Sequence, residues 1–240
     1  MYTHFIKSKE PAVAVTKTLK LAGIRGVIAQ KMRESMENTA QLSFFCNIDA
    51  SALVAARGAW KTAGEKIGFE DLVIKALAAM LPDFPTFNAI EGPGGVECHD
   101  EYHVGCAIAL PGALVAPAVY NTERLTLPQI AAARTDLVAR ARANKLTIAE
   151  LTGATITITN LGLTRVEHFT PIVTYPQQAI IGLGRIAPQP CVAEDGATVV
   201  VRPVMGLSLT VDHRVNDGAP AGEFLSRLAA ELEGAQALQP

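Results

Sequence analysis

Apolar positions along the chain follow two rhythms. From Ile24 onward the aliphatics Ile24, Val27, Ile28, Met32 and Met36 recur at three- and four-residue steps, which predicts a helix with one apolar face. Residues 43–49 then alternate around Phe44, Cys46 and Ile48, the spacing of a half-buried strand. Asp49 or Ser51 can cap a second helix that runs to Ala63, where Gly64 ends it. A third helix is predicted over 70–81, stopped by Pro82 and Pro85, and 91–95 (Glu-Gly-Pro-Gly-Gly) reads as a turn. Residues 104–110 and 114–119 read as two strands on either side of Pro111 and Gly112. Thr126 and Gln129 form a capping box, with Pro128 tolerated in the first turn, so a fourth helix runs to about Asn144. Its Ile130, Leu137, Val138 and Ala141 face inward.

The last third changes character. Residues 154–159 alternate threonine with aliphatics, as a strand with one wet face would; 178–182 give another strand, and 198–211 one or two more. Ala221, Phe224, Leu225, Leu228, Ala229 and Leu232 make a final helical stripe. Strands and helices mix without a regular βαβ alternation, which favours an α+β sandwich over a doubly wound parallel fold. The first 20 residues carry no periodicity, and Lys7, Lys9, Lys17 and Lys20 make them mildly basic; they read as an arm or linker remnant.

Composition adds two constraints. Charged residues make up 18% of the 240, below the ~25% of an ordinary soluble domain, and mean hydropathy is +0.24. Such a chain can bury a large core, or hide extra surface in an oligomer. The formal net charge of −2 gives no reason to expect a nucleic-acid or acidic-membrane partner. Cys46, Cys98, Cys106 and Cys191 lack zinc spacing and are too few for a disulfide scaffold, so reduced thiols are expected. Residues 1–9 lack the apolar core of a signal peptide. The greasiest stretch, 104–120, is broken by Pro111 and Pro117 and is too short to span a bilayer. The expectation is a soluble intracellular protein.

The segment that carries chemistry is Asp212-His213-Arg214-Val215-Asn216-Asp217-Gly218, where a long apolar strand ends and the last helix begins. A histidine at a strand end is held by the sheet yet can point into a cleft, and its ordinary pKa of ~6.5 suits it to take a proton from a thiol. Asp217 has two compatible readings, as N-cap of the final helix and as a partner that fixes the loop carrying His213. Other motifs fall away. His99 and His103 sit four apart ahead of a strand, where alternate residues face opposite ways, and do not form a zinc motif. Gly182-Leu-Gly-Arg-Ile-Ala187 fits a dinucleotide fingerprint, but Pro188 and Pro190 stand where its helix should begin.

The His213–Gly218 segment resembles the active-site motif of the 2-oxo acid dehydrogenase acyltransferases, the dihydrolipoamide acyltransferase catalytic domains related to chloramphenicol acetyltransferase. Four other stretches resemble the same family in the same order: 23–32, which opens a helix; 112–119, its central hairpin; 155–162; and 169–181, with Phe169-Thr-Pro-Ile172 and Pro176-Gln-Gln-Ala-Ile-Ile181. The resemblance covers residue 21 to the C-terminus.

The resemblance implies a two-layer α+β sandwich of the chloramphenicol acetyltransferase type. It implies a catalytic domain over 21–240 behind an arm at 1–20, with neither a lipoyl nor a subunit-binding domain on this chain. The implied reaction passes an acyl group, acetyl or branched-chain, between dihydrolipoamide and coenzyme A, with no metal and no covalent enzyme intermediate. By resemblance His213 is the general base. Thr159 replaces the family's serine as the hydroxyl that stabilises the oxyanion, and Asp217 fixes the loop by pairing with Arg25 or Arg214. Arg25 is alternatively a coenzyme A contact. The lipoyl group is then supplied from another domain or chain. The implied assembly is a homotrimer with His213 of one subunit facing Thr159 of the next. Larger hollow cores and dehydrogenase and dihydrolipoamide dehydrogenase subunits are the implied partners, in a bacterial cytoplasm or, for a eukaryotic source, a mitochondrial matrix. Two other functions remain open at this point: a free-standing coenzyme A-dependent acyltransferase for another thiol, alcohol or amine, and a non-catalytic scaffold core.

Overall fold

A mixed sheet of six strands organises the computed structural model, which describes residues 15–235 and 238–240. Most of the predicted basic arm, residues 1–14, lies outside the described residues. In chain order the elements are α1 (Ile24–Asn38), β1 (Gln41–Asp49), α2 (Ser51–Thr62), α3 (Phe69–Met80), β2 (Ala89–Gly92) and β3 (Gly95–Cys98). Then come β4 (Val104–Cys106), β5 (Ile108–Leu110), β6 (Ala113–Val115), β7 (Ala118–Val119), α4 (Leu127–Arg142) and α5 (Ile148–Thr152). The chain closes with β8 (Ile156–Asn160), β9 (Ala179–Val192), β10 (Val199–Asp212) and α6 (Gly218–Gly234). The sheet order is β1-β10-β9-β8-β4-β7, antiparallel except for the β9-β8-β4 run.

Period-2 alternation divides this sheet into two unlike faces. Ile156 and Ile158 of β8, Ile181 and Leu183 of β9, and Leu207, Leu209 and Val211 of β10 point to one face, where α2, α3, α4 and α6 close the core. On the other face stand Ser43, Thr155, Thr157, Thr159, Ser208 and Thr210, small hydroxyl residues at alternate positions. The sequence predicts this face to be wet, yet Thr155 and Thr157 are buried. The loop 161–178 covers it, and Thr157 donates to Gln177 Oε1 at 2.7 Å while Thr155 donates to Asn88 Oδ1 at 2.5 Å.

Glycines make that cover possible. A Cβ on Gly184 or Gly206 would collide with the Glu167 carbonyl, so the loop lies directly on the sheet there. The Gly182-Leu-Gly184 spacing thus serves the close approach of a loop to a strand pair.

Several predicted elements change shape. β9 continues through Pro188 and Pro190 to Val192. Its pairing with β8 stops at Asn160–Leu183, so the prolines stand on a free edge and forfeit no ladder bond. The two strands predicted over 104–119 each divide: β4 and β7 join the main sheet, while β5 and β6 form a separate hairpin around Gly112, whose φ is +75°. The predicted turn at 91–95 is the tip of a further hairpin, β2–β3. The apolar stripe of α1 exists, but Ile24, Val27 and Met36 are exposed and Ser35 is the buried residue of that helix. Its pattern is helical; Ile28 and Met32 are half-buried where the helix meets β6, and the rest of the stripe is left exposed by the described residues. No helix among the described residues is long and apolar enough to cross a membrane.

Candidate functional site

The turn after β10 is pinned from below. Asp212, fully buried, accepts from the amides of Ala40 and Arg214 at 3.0 Å each through Oδ1. Its Oδ2 accepts from Arg214 Nε at 2.9 Å and Nη2 at 2.6 Å. Burial opposes ionisation of this carboxyl, but the Arg214 side chain, the two amides and the Arg214 charge together hold it below the usual carboxylate range. Arg214 also reaches Glu91 Oε2 of β2 at 2.5 Å. On the far side of the turn buried Asn216 accepts from Thr86 Oγ1 at 2.6 Å.

Between those two anchors His213 faces outward. Its amide donates to the Ala40 carbonyl at 2.8 Å, which fixes the backbone, while the imidazole is 45% exposed. Nδ1 lies 3.6 Å from Asp217 Oδ1, within ion-pair reach but too far for a hydrogen bond, so Nε2 is the nitrogen turned away from it.

Asp217 holds the N-cap position of α6 with extended backbone but makes no side-chain capping bond, and its carboxylate is 81% exposed. The predicted pairing of Asp217 with an arginine is not formed within the chain. Arg214 belongs to Asp212 and Glu91. Arg25 is exposed in the first turn of α1 and forms no ion pair among the described residues.

Thr159 is placed by register. It pairs with Gly182, and Gly182 pairs with Ser208 on the other side. Its side chain shares the loop-covered face, is partly exposed, and makes no hydrogen bond among the described residues. Its neighbour Asn160 points the opposite way, donating to Glu70 Oε1 at 2.7 Å and accepting from the Gly162 amide at 2.6 Å. A cleft of about 380 Å³ lined by Arg57, Phe69, Glu70, Asn160 and Met205 lies on that helical side and includes neither Thr159 nor His213.

The same register measures the gap between the two candidate residues. Thr159 is level with Ser208 and two strands away from it, and His213 lies five residues further along. Their Cα atoms are therefore about 19 Å apart in one chain. An acid–base group and an oxyanion donor must both come within about 3 Å of adjacent reacting atoms. One chain does not bring them together.

Sequence reasoning singled out His213, Asp217 and Thr159 but missed Asp212, Asn216 and Glu91, which hold the turn. Asp212 and Asn216 lie inside the motif itself, where a buried polar pair flanking an exposed histidine was the available signal. Glu91 left no local signal.

Comparison with known proteins gives a consistent picture. The model of the 2-oxoacid dehydrogenases acyltransferase (catalytic domain) family matches residues 14–239. The dihydrolipoyllysine-residue acetyltransferase component of the acetoin cleaving system of Bacillus subtilis is 35% identical over 225 residues, covering 92% of this chain and 56% of that protein. The chain spans about half the length of the curated relatives it matches. Among solved structures, the dihydrolipoamide acetyltransferase of Azotobacter vinelandii, studied for the role of a serine, a histidine and an asparagine in its catalytic mechanism, is 31% identical with a TM-score of 0.86. That match covers 97% of this chain and 99% of the other, as does the match to the cubic core of a pyruvate dehydrogenase multienzyme complex. Chloramphenicol acetyltransferase, 17% identical over 86% of this chain and 93% of its own, shares the fold with a TM-score of 0.53.

Proposed function

Because this chain belongs to the acyltransferase catalytic-domain family of the 2-oxoacid dehydrogenases, we propose that it transfers an acyl group, acetyl or branched-chain, between dihydrolipoamide and coenzyme A. The observation that carries the reading is the exposed His213 imidazole on a rigid turn, with Nδ1 toward Asp217 and Nε2 outward. The Azotobacter enzyme's histidine and asparagine are four residues apart in its chain, as His213 and Asp217 are here.

In this reading His213 Nε2 takes the proton from the coenzyme A thiol. The thiolate attacks the thioester carbonyl of acyl-dihydrolipoamide, and the oxyanion accepts a hydrogen bond from the Thr159 hydroxyl. When the intermediate collapses, the carbon–sulfur bond to dihydrolipoamide breaks and the departing thiolate takes the proton back from His213. Atoms and charge balance without a group acylated on the protein. Two of the chain's four thiols suit this: burial first, then the nearby Glu233 charge, pushes Cys46 up to about 11, and burial pushes Cys106 up to about 12, so both stay protonated at neutral pH.

The 19 Å gap supports an active site shared between subunits, His213 from one and Thr159 from the next, in a homotrimer. The exposed Ile24, Val27 and Met36 of the α1 stripe support the same assembly. Assembly of trimers into a hollow core, with dehydrogenase and dihydrolipoamide dehydrogenase as partners and a lipoyl group supplied from another domain or chain, follows by family. So does the compartment, a bacterial cytoplasm or a mitochondrial matrix. Arg25, which forms no ion pair within the described chain, is proposed as a contact for the coenzyme A phosphates or for Asp217 of a neighbouring subunit.

Subunit mixing tests both the residues and the sharing. His213→Ala and Thr159→Val homotrimers are each expected to keep no more than about a hundredth of wild-type activity with acetyl-coenzyme A and dihydrolipoamide. Refolded together at equal ratio they should regain roughly a quarter of wild-type activity, because a quarter of the interfaces then pair an intact histidine with an intact threonine. No recovery on mixing would rule out the shared site. Comparable turnover with hydroxyl or amine acceptors would instead favour a free-standing acyltransferase.

A further inference from the structure

The covering loop sets the Phe169 side chain down on Gly182, the register partner of Thr159. The Phe169 amide donates to Ser208 Oγ on β10 at 3.3 Å. Its ring tip lies on Gly182 of β9, where a Cβ would come within 2.8 Å of Cζ. Ser208, Gly182 and Thr159 are side by side on three adjacent strands. The ring therefore runs across the sheet from β10 toward β8, and its tip stands about 5 Å, one strand spacing, from the Thr159 side chain.

The wall is also rigid. Arg185 donates its amide to the Val166 carbonyl at 2.9 Å and its guanidinium to Glu167 at 2.7 Å. His168 bonds Asn47 at 2.8 Å, and the Val173 amide donates to Gln41 at 3.0 Å. A loop tied to β1, β9 and β10 around it leaves Phe169 little room to swing away.

We propose that Phe169, seated on Gly182, sets the size limit for the acyl group transferred, favouring acetyl over branched chains. The inference rests on Thr159 as the oxyanion donor. The carbon bearing the oxyanion also bears the acyl chain, so a donor at Thr159 places that chain within a few ångströms of its hydroxyl and against the ring. Gly182 is required for the arrangement, since any side chain there would displace the ring.

The test compares kcat/KM for acetyl-coenzyme A and isobutyryl-coenzyme A with dihydrolipoamide as acceptor, in the intact oligomer. Phe169→Ala is expected to shift the ratio toward isobutyryl by roughly 10- to 200-fold, the range that one or two methylenes command in an apolar pocket. Phe169→Leu, the milder change, should shift it the same way by less, and serves if the alanine variant does not fold. An unchanged ratio in the folded variants overturns the proposal. Thr159→Val separates the two ideas. If it slows both donors alike while the Phe169 variants leave the ratio fixed, only the role of Phe169 falls; if it leaves both donors untouched, the donor assignment falls.

Discussion

The turn that carries His213 and the strand end that carries Thr159 position their side chains by opposite means. At the turn, specific polar bonds do the work: Asp212 gathers four donors, Asn216 is bound to Thr86, and the His213 amide is held by Ala40. The imidazole itself is left with a single partner at 3.6 Å. At the strand end no bond from the described residues touches the hydroxyl; sheet register fixes Thr159, and its surroundings are shaped by a loop lying on glycines. A base must keep its backbone still while the ring stays free to exchange a proton. An oxyanion donor must keep its hydroxyl unspent until charge develops on the substrate. Each arrangement suits the role proposed for its residue.

The largest effects should come from removing the two groups themselves. His213→Ala is expected to lower kcat by ~10³-fold, within the usual range for a general base, with the oligomer intact by light scattering. Thr159→Val keeps the shape and removes the hydroxyl, so kcat should fall ~10²-fold with KM nearly unchanged, and Thr159→Ser should restore most of it. If Thr159→Ser is as slow as Thr159→Val, the hydroxyl alone does not suffice and the threonine methyl is needed to hold it in place.

This contrast also explains what could be read from the sequence. The His213 turn is local: motif, strand end and helix start all lie within seven residues, and periodicity located α6 and β10 around it. Its supports are not local. Glu91 meets Arg214 across 123 residues of chain, and Ala40 meets Asp212 across 172, distances over which no pattern speaks. Pro188 and Pro190 rightly spoke against a helix after Gly184, but that β9 runs on through them depends on its free edge there, which no local pattern shows. Gly182 and Gly184 resembled a nucleotide fingerprint because close backbone approach asks for glycine whether the visitor is a phosphate or a loop. The α1 stripe was legible as a helix and illegible as to what covers it.

A smaller effect should follow from loosening the turn. Asp212→Asn keeps the volume but removes the charge that holds Arg214, at an expected cost of about 1–3 kcal/mol, since half of the pair is partly exposed. The sign of its pH dependence is fixed. The folded carboxyl lies below its unfolded value of ~3.9, so its stabilisation is complete above that pH and is lost as pH falls through the depressed folded value. Wild type and Asp212→Asn should therefore differ most in Tm near neutrality and converge below about pH 4. A gap that stays constant down to pH 3 would mean the carboxylate charge contributes nothing.

The mildest change tests whether the His213 side chain needs its charged neighbour. Asp217 is exposed, and a solvated ion pair at 3.6 Å contributes at most about 1 kcal/mol. It also spends no bond on capping α6, so replacing it should not unravel the helix start. Asp217→Asn retains an oxygen at the same reach and is expected to lower kcat less than about 5-fold, with little change in Tm. Asp217→Ala, which removes any partner for Nδ1, should cost more than the amide does. If the amide and alanine variants are equally slow, charge at 217 acts on the imidazole directly, and the turn's buried bonds are not sufficient to position it.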